Sequence, residues 1–316
     1  MMNLLVTGGA GFIGGNFVNQ IIGVQDNLIV VDSLTYASNY GYIAETVDRY
    51  DIIFEQVDIT NKDKINNIFK KYDITHVVHF AAESHVDRSI VDVYPFYNTN
   101  VLGTINMLEA ALKYAPKIEK FIHVSTDEVY GSLTPTGKKF NEISRYAPNN
   151  PYSASKAASD HFARAFFETY KLPVIITHCS NNYGPNQNKE KLIPKIIENA
   201  LAYNMIPIYG DGSNIRDWIY VDDHCEALHI LLEFGEIGEI YNIGSRNELS
   251  NLQIAQLILK ILGTSNDLIK FVPDRLGHDF RYAIDPYKIE SLLGFYASYN
   301  ITEGLERTIK WYKENQ

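Results

Sequence analysis

The sequence predicts an α/β protein: a doubly wound parallel sheet carrying a smaller, discontinuous α/β domain. Three observations support this. Short apolar runs alternate with amphipathic segments through the first half of the 316-residue chain. Those runs are rich in Val and Ile without polar alternation, which marks strands buried on both faces. A glycine-rich turn, TGGAGFIG, joins the first run to the first amphipathic segment. Parallel strands need crossovers, and these are right-handed, so the repetition gives a Rossmann-type sheet.

The elements follow in order. NLLVTG reads as a strand and Phe12 to Ile22 as the helix after it. NLIVVDS is a second strand; DIIFEQVDI is a third, followed by a helix over NKDKINNIFKKY. THVVHFAA is a strand, with a long helix around Asn98 to Tyr114. KFIHVSTDEV is a strand, Tyr152 to Tyr170 a helix, and PVIITHCS a strand. After about Ser180 the rhythm breaks. A helix is expected over Leu192 to Tyr203, then a short strand and helix within RDWIYVDDHCEALHILLEF. EIYNIGS returns as one more strand of the main sheet. NLQIAQLILKIL carries Ile254, Leu257, Ile258 and Ile261 at helical spacing, and ITEGLERTIKWYKE closes the chain as a helix. The expected division is a first domain over 1–178, with about 218–244 returning to it, and a second over about 179–217 and 245–316. No repeat or low-complexity linker separates them, so close packing is expected.

Composition excludes some classes. A formal net charge of −10 disfavours a nucleic-acid partner, which needs a basic footprint. A small anionic ligand needs only local donors. Cys179 and Cys225 form no CxxC, and no Cys/His cluster has metal spacing, so reduced thiols and no metal are expected. MMNLLVTGGAGFIG lacks a basic leader, and no apolar run reaches the roughly 18 residues of a membrane span. A cytoplasmic protein with no membrane partner is the expectation.

Gly8, Gly11 and Gly14, with Phe12 and Ile13 between them, give G-x-x-G-x-x-G at a strand–helix junction. Such glycines let backbone N–H groups approach a pyrophosphate and let the helix pack on the strand. Asp32 ends the second strand, where a carboxylate accepts hydrogen bonds from ribose hydroxyls and repels a 2′-phosphate. NAD is therefore favoured over NADP. Asp58 and Ile59 can line the adenine, although capping of the next helix competes for Asp58. Phe80, Ala81, Ala82 and Ser84 are small enough overall to let a dinucleotide cross the strand ends. Thr99 is a further candidate for that cleft.

Tyr152 and Lys156 form Y-x-x-x-K, and residues i and i+4 share a helix face. A nearby ammonium, with a nicotinamide ring, favours phenolate and makes Tyr152 an acid/base for an alcohol–ketone pair. Just upstream, VSTDEVYG places Asp127 and Glu128 together at the end of a buried strand. Neighbouring carboxyls in a closed site push their pKa values apart.

TGGAGFIG, VSTDEVYG, PYSASKAASD and RDWIYVDDH resemble the extended short-chain dehydrogenase/reductase family over essentially the whole chain. Within it, Thr126-Asp127-Glu128 and DRLGHDFRYAID resemble the dTDP-glucose 4,6-dehydratases. The resemblance implies a reaction. Tightly bound NAD oxidises the sugar C4 hydroxyl, with Tyr152 taking the proton and Thr126 bonding the C4 oxygen. Glu128 removes the C5 hydrogen, Asp127 protonates the departing C6 hydroxyl, and the hydride returns to C6. The cofactor is regenerated each turnover.

The implied substrate carries a diphosphate, so cations should converge. Lys191, Arg216, Arg275 and His278 are candidates, the arginines foremost because a guanidinium forks onto phosphate. Surface ion pairs with Asp217 or Asp274 are the alternative for the arginines. Asn181, Asn251 and Tyr282 match family positions contacting sugar, phosphate or base, as does Leu192 beside Lys191. Asn182 matches one near the nicotinamide, and Ser84 and Thr126 face substrate. PIYG, with Pro207 and Tyr209, resembles the segment packing on the base. His85 either bonds within the active-site loop or is structural. A homodimer is implied, through the helices near Asn98 to Tyr114 and Tyr152 to Tyr170. The rivals are a UDP-sugar 4-epimerase, a nucleotide-sugar decarboxylase, a 4,6-dehydratase of another nucleotide sugar and a non-catalytic NAD sensor.

Overall fold

The computed structural model of the chain describes residues 2–23 and 25–315. A seven-stranded sheet forms its centre. Its strands are β1 (Asn3–Thr7), β2 (Asn27–Asp32), β3 (Ile53–Gln56), β4 (His76–His79), β5 (Lys120–Thr126), β6 (Val174–Cys179) and β10 (Ile240–Ile243). Their spatial order is β3-β2-β1-β4-β5-β6-β10, and every pairing is parallel. The order reverses between β1 and β4. Ligands of open α/β sheets bind outside the strand ends at such a switch point.

Alternate residues of one strand reach opposite cores. Leu4, Val6, Leu28 and Val30 join a core with helices α1 (Phe12–Gln20) and α9 (Val221–Phe234). Leu5, Ile29 and Val31 join the other, with α3 (Lys62–Tyr72), α6 (Thr104–Lys113) and α7 (Pro151–Tyr170). This accounts for strands that lack polar alternation. The short helices α2 (Ala44–Arg49), α4 (Val86–Val91) and α5 (Tyr94–Phe96) fill connections around the sheet.

A third core lies beyond it, formed largely by α8 (Leu192–Leu201), α10 (Asn251–Leu262) and α12 (Ile301–Glu314). It includes a three-stranded sheet of β7 (Asn181–Tyr183), β9 (Ile215–Tyr220) and β11 (Glu248–Ser250), and a two-stranded one of β8 (Ile206–Tyr209) and β12 (Ile269–Val272). Helix α11 (Tyr287–Leu293) leads back toward β10.

Some boundaries differ from expectation. The first helix stops at Gln20 and α8 at Leu201. The long helix around Asn98 begins as a π-helical stretch, Tyr97–Gly103, before α6. Side-chain bonds replace ordinary helix pairing there: Thr104 donates to Asn100 O at 2.7 Å, and Asn100 Nδ2 donates to Glu83 O and Ser155 Oγ. Such bulges are frequent at functional sites. This one carries Thr99 on the wall of the main cavity.

Candidate active site

One cavity of about 350 Å³ runs along the C-terminal ends of the main strands. Gly8, Gly11, Phe12, Ile13 and Gly14 line one end. Gly8 has φ +71°, and a Cβ on Gly14 would stand 2.2 Å from Gly8 O. The crowding demands glycine and brings the first turn of α1 to the cavity. The N-cap residue of α1 is Gly11, which has no side chain to accept from the first turn, so the leading N–H groups of α1 remain for a ligand. That cradle fits a pyrophosphate. Gly14→Ala is expected to weaken NAD binding about tenfold or more, a loss of at least ~1.4 kcal/mol. Calorimetric titration checks it.

Asp32 is buried at the wall. Ala10 N donates to its Oδ2 at 3.0 Å, while Leu34 N and Ser38 Oγ donate to Oδ1 at 2.8 and 2.7 Å. The carboxylate is thus held rigidly, with lone pairs left for a diol. Asp58 and Ile59 line the same wall; Asp58 accepts from Thr60 N, and the cap of α3 is Asn61. Phe80, Ala81, Ala82, Ser84 and Asn182 complete the lining of this part.

Helix α7 starts with Pro151 at its first turn and a capping box between Asn150 and Ser153. This directs Tyr152 and Lys156 to the cavity. Lys156 Nζ donates to Val124 O on β5 at 2.9 Å. Burial first, then the Glu128 carboxylate, push the Tyr152 phenol well above its usual range, and only the Thr126 hydroxyl opposes them among its principal neighbours. The charge of Lys156 goes to a strand carbonyl, so the cofactor's own positive charge must supply what is missing.

Strand β5 ends at Thr126, which caps the 3₁₀ turn Asp127–Tyr130 and accepts from Glu128 N at 3.3 Å. That turn separates the two acids. Asp127 is 1% exposed, and its Oδ2 has no hydrogen-bond partner among the described residues. Burial, then Glu128, then Asp217, raise its carboxyl well above the usual range, against a lowering by Arg216. Glu128 is half-buried, and Tyr282 Oη reaches its Oε2 at 3.5 Å.

A stability consequence follows. Between its unfolded pKa of about 3.9 and its raised folded value, Asp127 binds a proton only in the native state, so native stability declines as pH rises through that window. Asp127→Asn lacks this decline. Its melting temperature is expected to exceed wild type by roughly 2–4 °C at neutral pH, with a gap that shrinks toward pH 4. Melting curves across pH measure this.

Of the remaining candidates, Asn181 and Lys191 line this cavity, and Lys191 Nζ donates to Ser84 O at 2.7 Å; Leu192, Pro207, Tyr209, Arg216, Asn251, Arg275, His278 and Tyr282 lie outside its lining. Leu192 opens α8. Pro207 and Tyr209 lie on β8, and Tyr209 Oη donates to Asp87 Oδ2 at 3.3 Å. Arg275 approaches Asp87 Oδ1 at 3.5 Å rather than pairing its guanidinium with Asp274, whose carboxylate contacts His278 Nδ1 at 2.6 Å. Arg216 avoids Asp217: its guanidinium bonds Asp279 O and lies 4.4 Å from the Tyr282 ring centroid. Asn251 is buried with Oδ1 unpartnered. His85 caps α4 and lies 3.4 Å from Glu190.

A family model described as GDP-mannose 4,6 dehydratase matches residues 5–308. A probable dTDP-glucose 4,6-dehydratase of Sinorhizobium fredii is 48% identical over 99% of this chain and 93% of its own. The chain belongs to the dTDP-glucose 4,6-dehydratase family. A dTDP-glucose 4,6-dehydratase from Streptomyces venezuelae, solved with NAD and TYD bound, matches with TM-score 0.96 and 45% identity over 99% of this chain and 98% of that one. A UDP-glucose 4-epimerase of Thermotoga maritima, solved with UDP-glucose, reaches TM-score 0.91 at 29% identity, covering 99% of each chain.

Backbone shape therefore separates dehydratase from epimerase poorly, and side chains must decide. Among them is a residue the sequence reading missed. His224 on α9 lies with Nδ1 2.9 Å from Asn182 Oδ1, while Asn182 Nδ2 donates to Ser180 O. Burial brings the His224 imidazole down to about 3, so it acts as a neutral donor that orients the Asn182 amide. HisCysGlu on a helix carries no motif that would have revealed this.

Proposed function

We propose that this chain converts dTDP-glucose to dTDP-4-keto-6-deoxyglucose and water, in the cytoplasm, within deoxysugar biosynthesis such as that of dTDP-rhamnose. Bound NAD accepts the C4 hydride and returns it at C6, so it ends each turnover unchanged. Gly8, Gly11 and Gly14 cradle its pyrophosphate and Asp32 its adenosine ribose. Asp58, Ile59, Thr99 and Asn182 line its remaining length.

Tyr152 takes the C4 hydroxyl proton, with Thr126 on the same oxygen and Lys156 supplying positive charge. The resulting ketone acidifies the C5 hydrogen. Glu128 abstracts it, and Asp127 protonates the leaving C6 hydroxyl. The observation that carries the reading is the environment of Asp127. A buried acid whose pKa is raised by burial and by Glu128 has a proton to give, beside a second carboxyl that is only half-buried. Epimerisation at C4 has no use for such a pair.

The diphosphate lies against Arg216, Arg275, Lys191 and His278, and the base against Pro207 and Tyr209. The same reading divides the chain into an NAD-binding unit and a nucleotide-sugar-binding unit. Comparing kcat/KM for dTDP-glucose, UDP-glucose and GDP-mannose tests substrate choice: dTDP-glucose should lead by at least about tenfold. Equal or greater turnover of another nucleotide sugar would reassign it.

The chain also dimerises with a second copy in this reading. Val91 at the end of α4, Tyr94 on α5 and Tyr97 at the start of the π-helical stretch are 89%, 71% and 55% exposed, and these three elements contact α7. Water-facing apolar and aromatic side chains grouped this way mark an interaction surface. Tyr97→Glu is expected to shift sedimentation from dimer to monomer. No helix among the described residues is long and apolar enough to cross a membrane.

A further inference from the structure

Asp160 has no part in the reaction as assigned above, yet it is 1% exposed and lies one helical turn beyond Lys156 on α7. An ionised buried carboxylate persists only when paired. Asp160 Oδ2 hydrogen-bonds His178 Nε2 on β6 at 3.0 Å, while Oδ1 lies 3.1 Å from His123 Nε2 on β5 without hydrogen-bond geometry. The His178 ring is fixed in turn, with Nδ1 2.7 Å from the Tyr130 hydroxyl and Nε2 2.9 Å from that of Tyr146. Ser159 Oγ touches His123 Nε2 at 3.1 Å, and the His123 ring stacks on His79 at 5.6 Å. Two imidazoles from adjacent strands therefore flank one carboxylate beneath the reacting centre, and His178 hydrogen-bonds it.

We propose that Asp160 is a positioning residue for the reaction: held by His178 and flanked by His123, its charge keeps Lys156 an ammonium beside Tyr152. This rests on the dehydratase reading, in which Lys156 acts on Tyr152. The titratable groups around Lys156 are Tyr152 and Asp160 on α7, His79 on β4, His123 on β5 and Cys179 on β6. Those around Asp160 are His123, His178, Tyr130 and Tyr146. Burial lowers the Lys156 amine, and Asp160 is the first group to oppose it. Burial also lowers His79 and His123, which leaves both of these rings neutral at physiological pH. The histidines hold Asp160 well below the usual carboxylate range, so it stays ionised. Lys156 Nζ meanwhile bonds Val124 O, so the carboxylate acts through its field and leaves the ammonium oriented toward β5.

Asp160→Asn keeps the shape and removes the charge. With NAD-loaded enzyme and dTDP-glucose, kcat is measured against pH. The alkaline limb of the variant should move down by about one pH unit or more, because Lys156 then loses its proton earlier. An unmoved limb, with loss only of thermal stability, would overturn the proposal. If the variant does not fold, the wild-type holoenzyme is labelled with ¹³C,¹⁵N-lysine and its Lys156 signal followed. Ammonium through pH 9 supports the proposal; neutral amine at pH 8 overturns it. A wild type that makes no 4-keto product strikes at the dehydratase reading instead, and the Lys156 signal still decides the charge state that Asp160 is held to maintain.

Discussion

Glu128→Gln is expected to stop the reaction midway. The amide keeps the size of the side chain but cannot accept the C5 proton. Product formation should fall by roughly 10²- to 10⁴-fold, the usual contribution of a positioned base. C4 oxidation needs Tyr152, not Glu128, so mixing enzyme with dTDP-glucose should still give a transient rise in NADH absorbance. The contact from Tyr282 Oη to Glu128 Oε2 has an amide counterpart, so the site should keep its shape. A variant that eliminated water at the wild-type rate would remove Glu128 from the role of base.

Tyr152→Phe should fail one step earlier. Losing the phenol takes away the acceptor for the C4 hydroxyl proton, so neither NADH nor the 4-keto sugar should appear. The expected loss is again roughly 10²- to 10⁴-fold. Binding should survive, since the ring is packed edge-on against Phe96 at 6.3 Å and the Asn150–Ser153 capping box holds the helix start. The contrast with Glu128→Gln is the diagnostic feature: one variant accumulates reduced cofactor and the other does not. In wild type, the raised phenol pKa of the protein alone predicts that substrate oxidation depends on the cofactor's positive charge as well as on Lys156.

Much of this was legible in the chain. Val and Ile runs without polar alternation gave the doubly covered sheet, because each of β1 and β2 sends alternate side chains into two different cores. TGGAGFIG marked the cofactor end because only glycine tolerates the approach of Gly14 to Gly8 O. The candidate cofactor residues are scattered in sequence from Gly8 to Asn182, and the structure brings them to one cavity. EIYNIGS was readable as one more strand of the main sheet, and the structure pairs it with β6.

What escaped has physical reasons. Strands as short as β7 and β11 have too few residues for a period to show. The π-helical stretch depends on Asn100 reaching Glu83 and Ser155, which are remote in sequence. The cluster around Asp160 joins positions 123, 160 and 178 through two strands and a helix, with no local pattern. Which acid keeps its proton depends on burial: Asp127 and Glu128 adjoin in sequence, but the turn after β5 buries one far more than the other.

The most direct test is turnover of dTDP-glucose in heavy water. The base at C5 exchanges its proton with solvent before C5 is reprotonated. A 4-keto-6-deoxy product carrying deuterium at C5 is the predicted result. A C4 epimer, or a product with no deuterium at C5, would contradict the assignment of Asp127 and Glu128 as an eliminating pair.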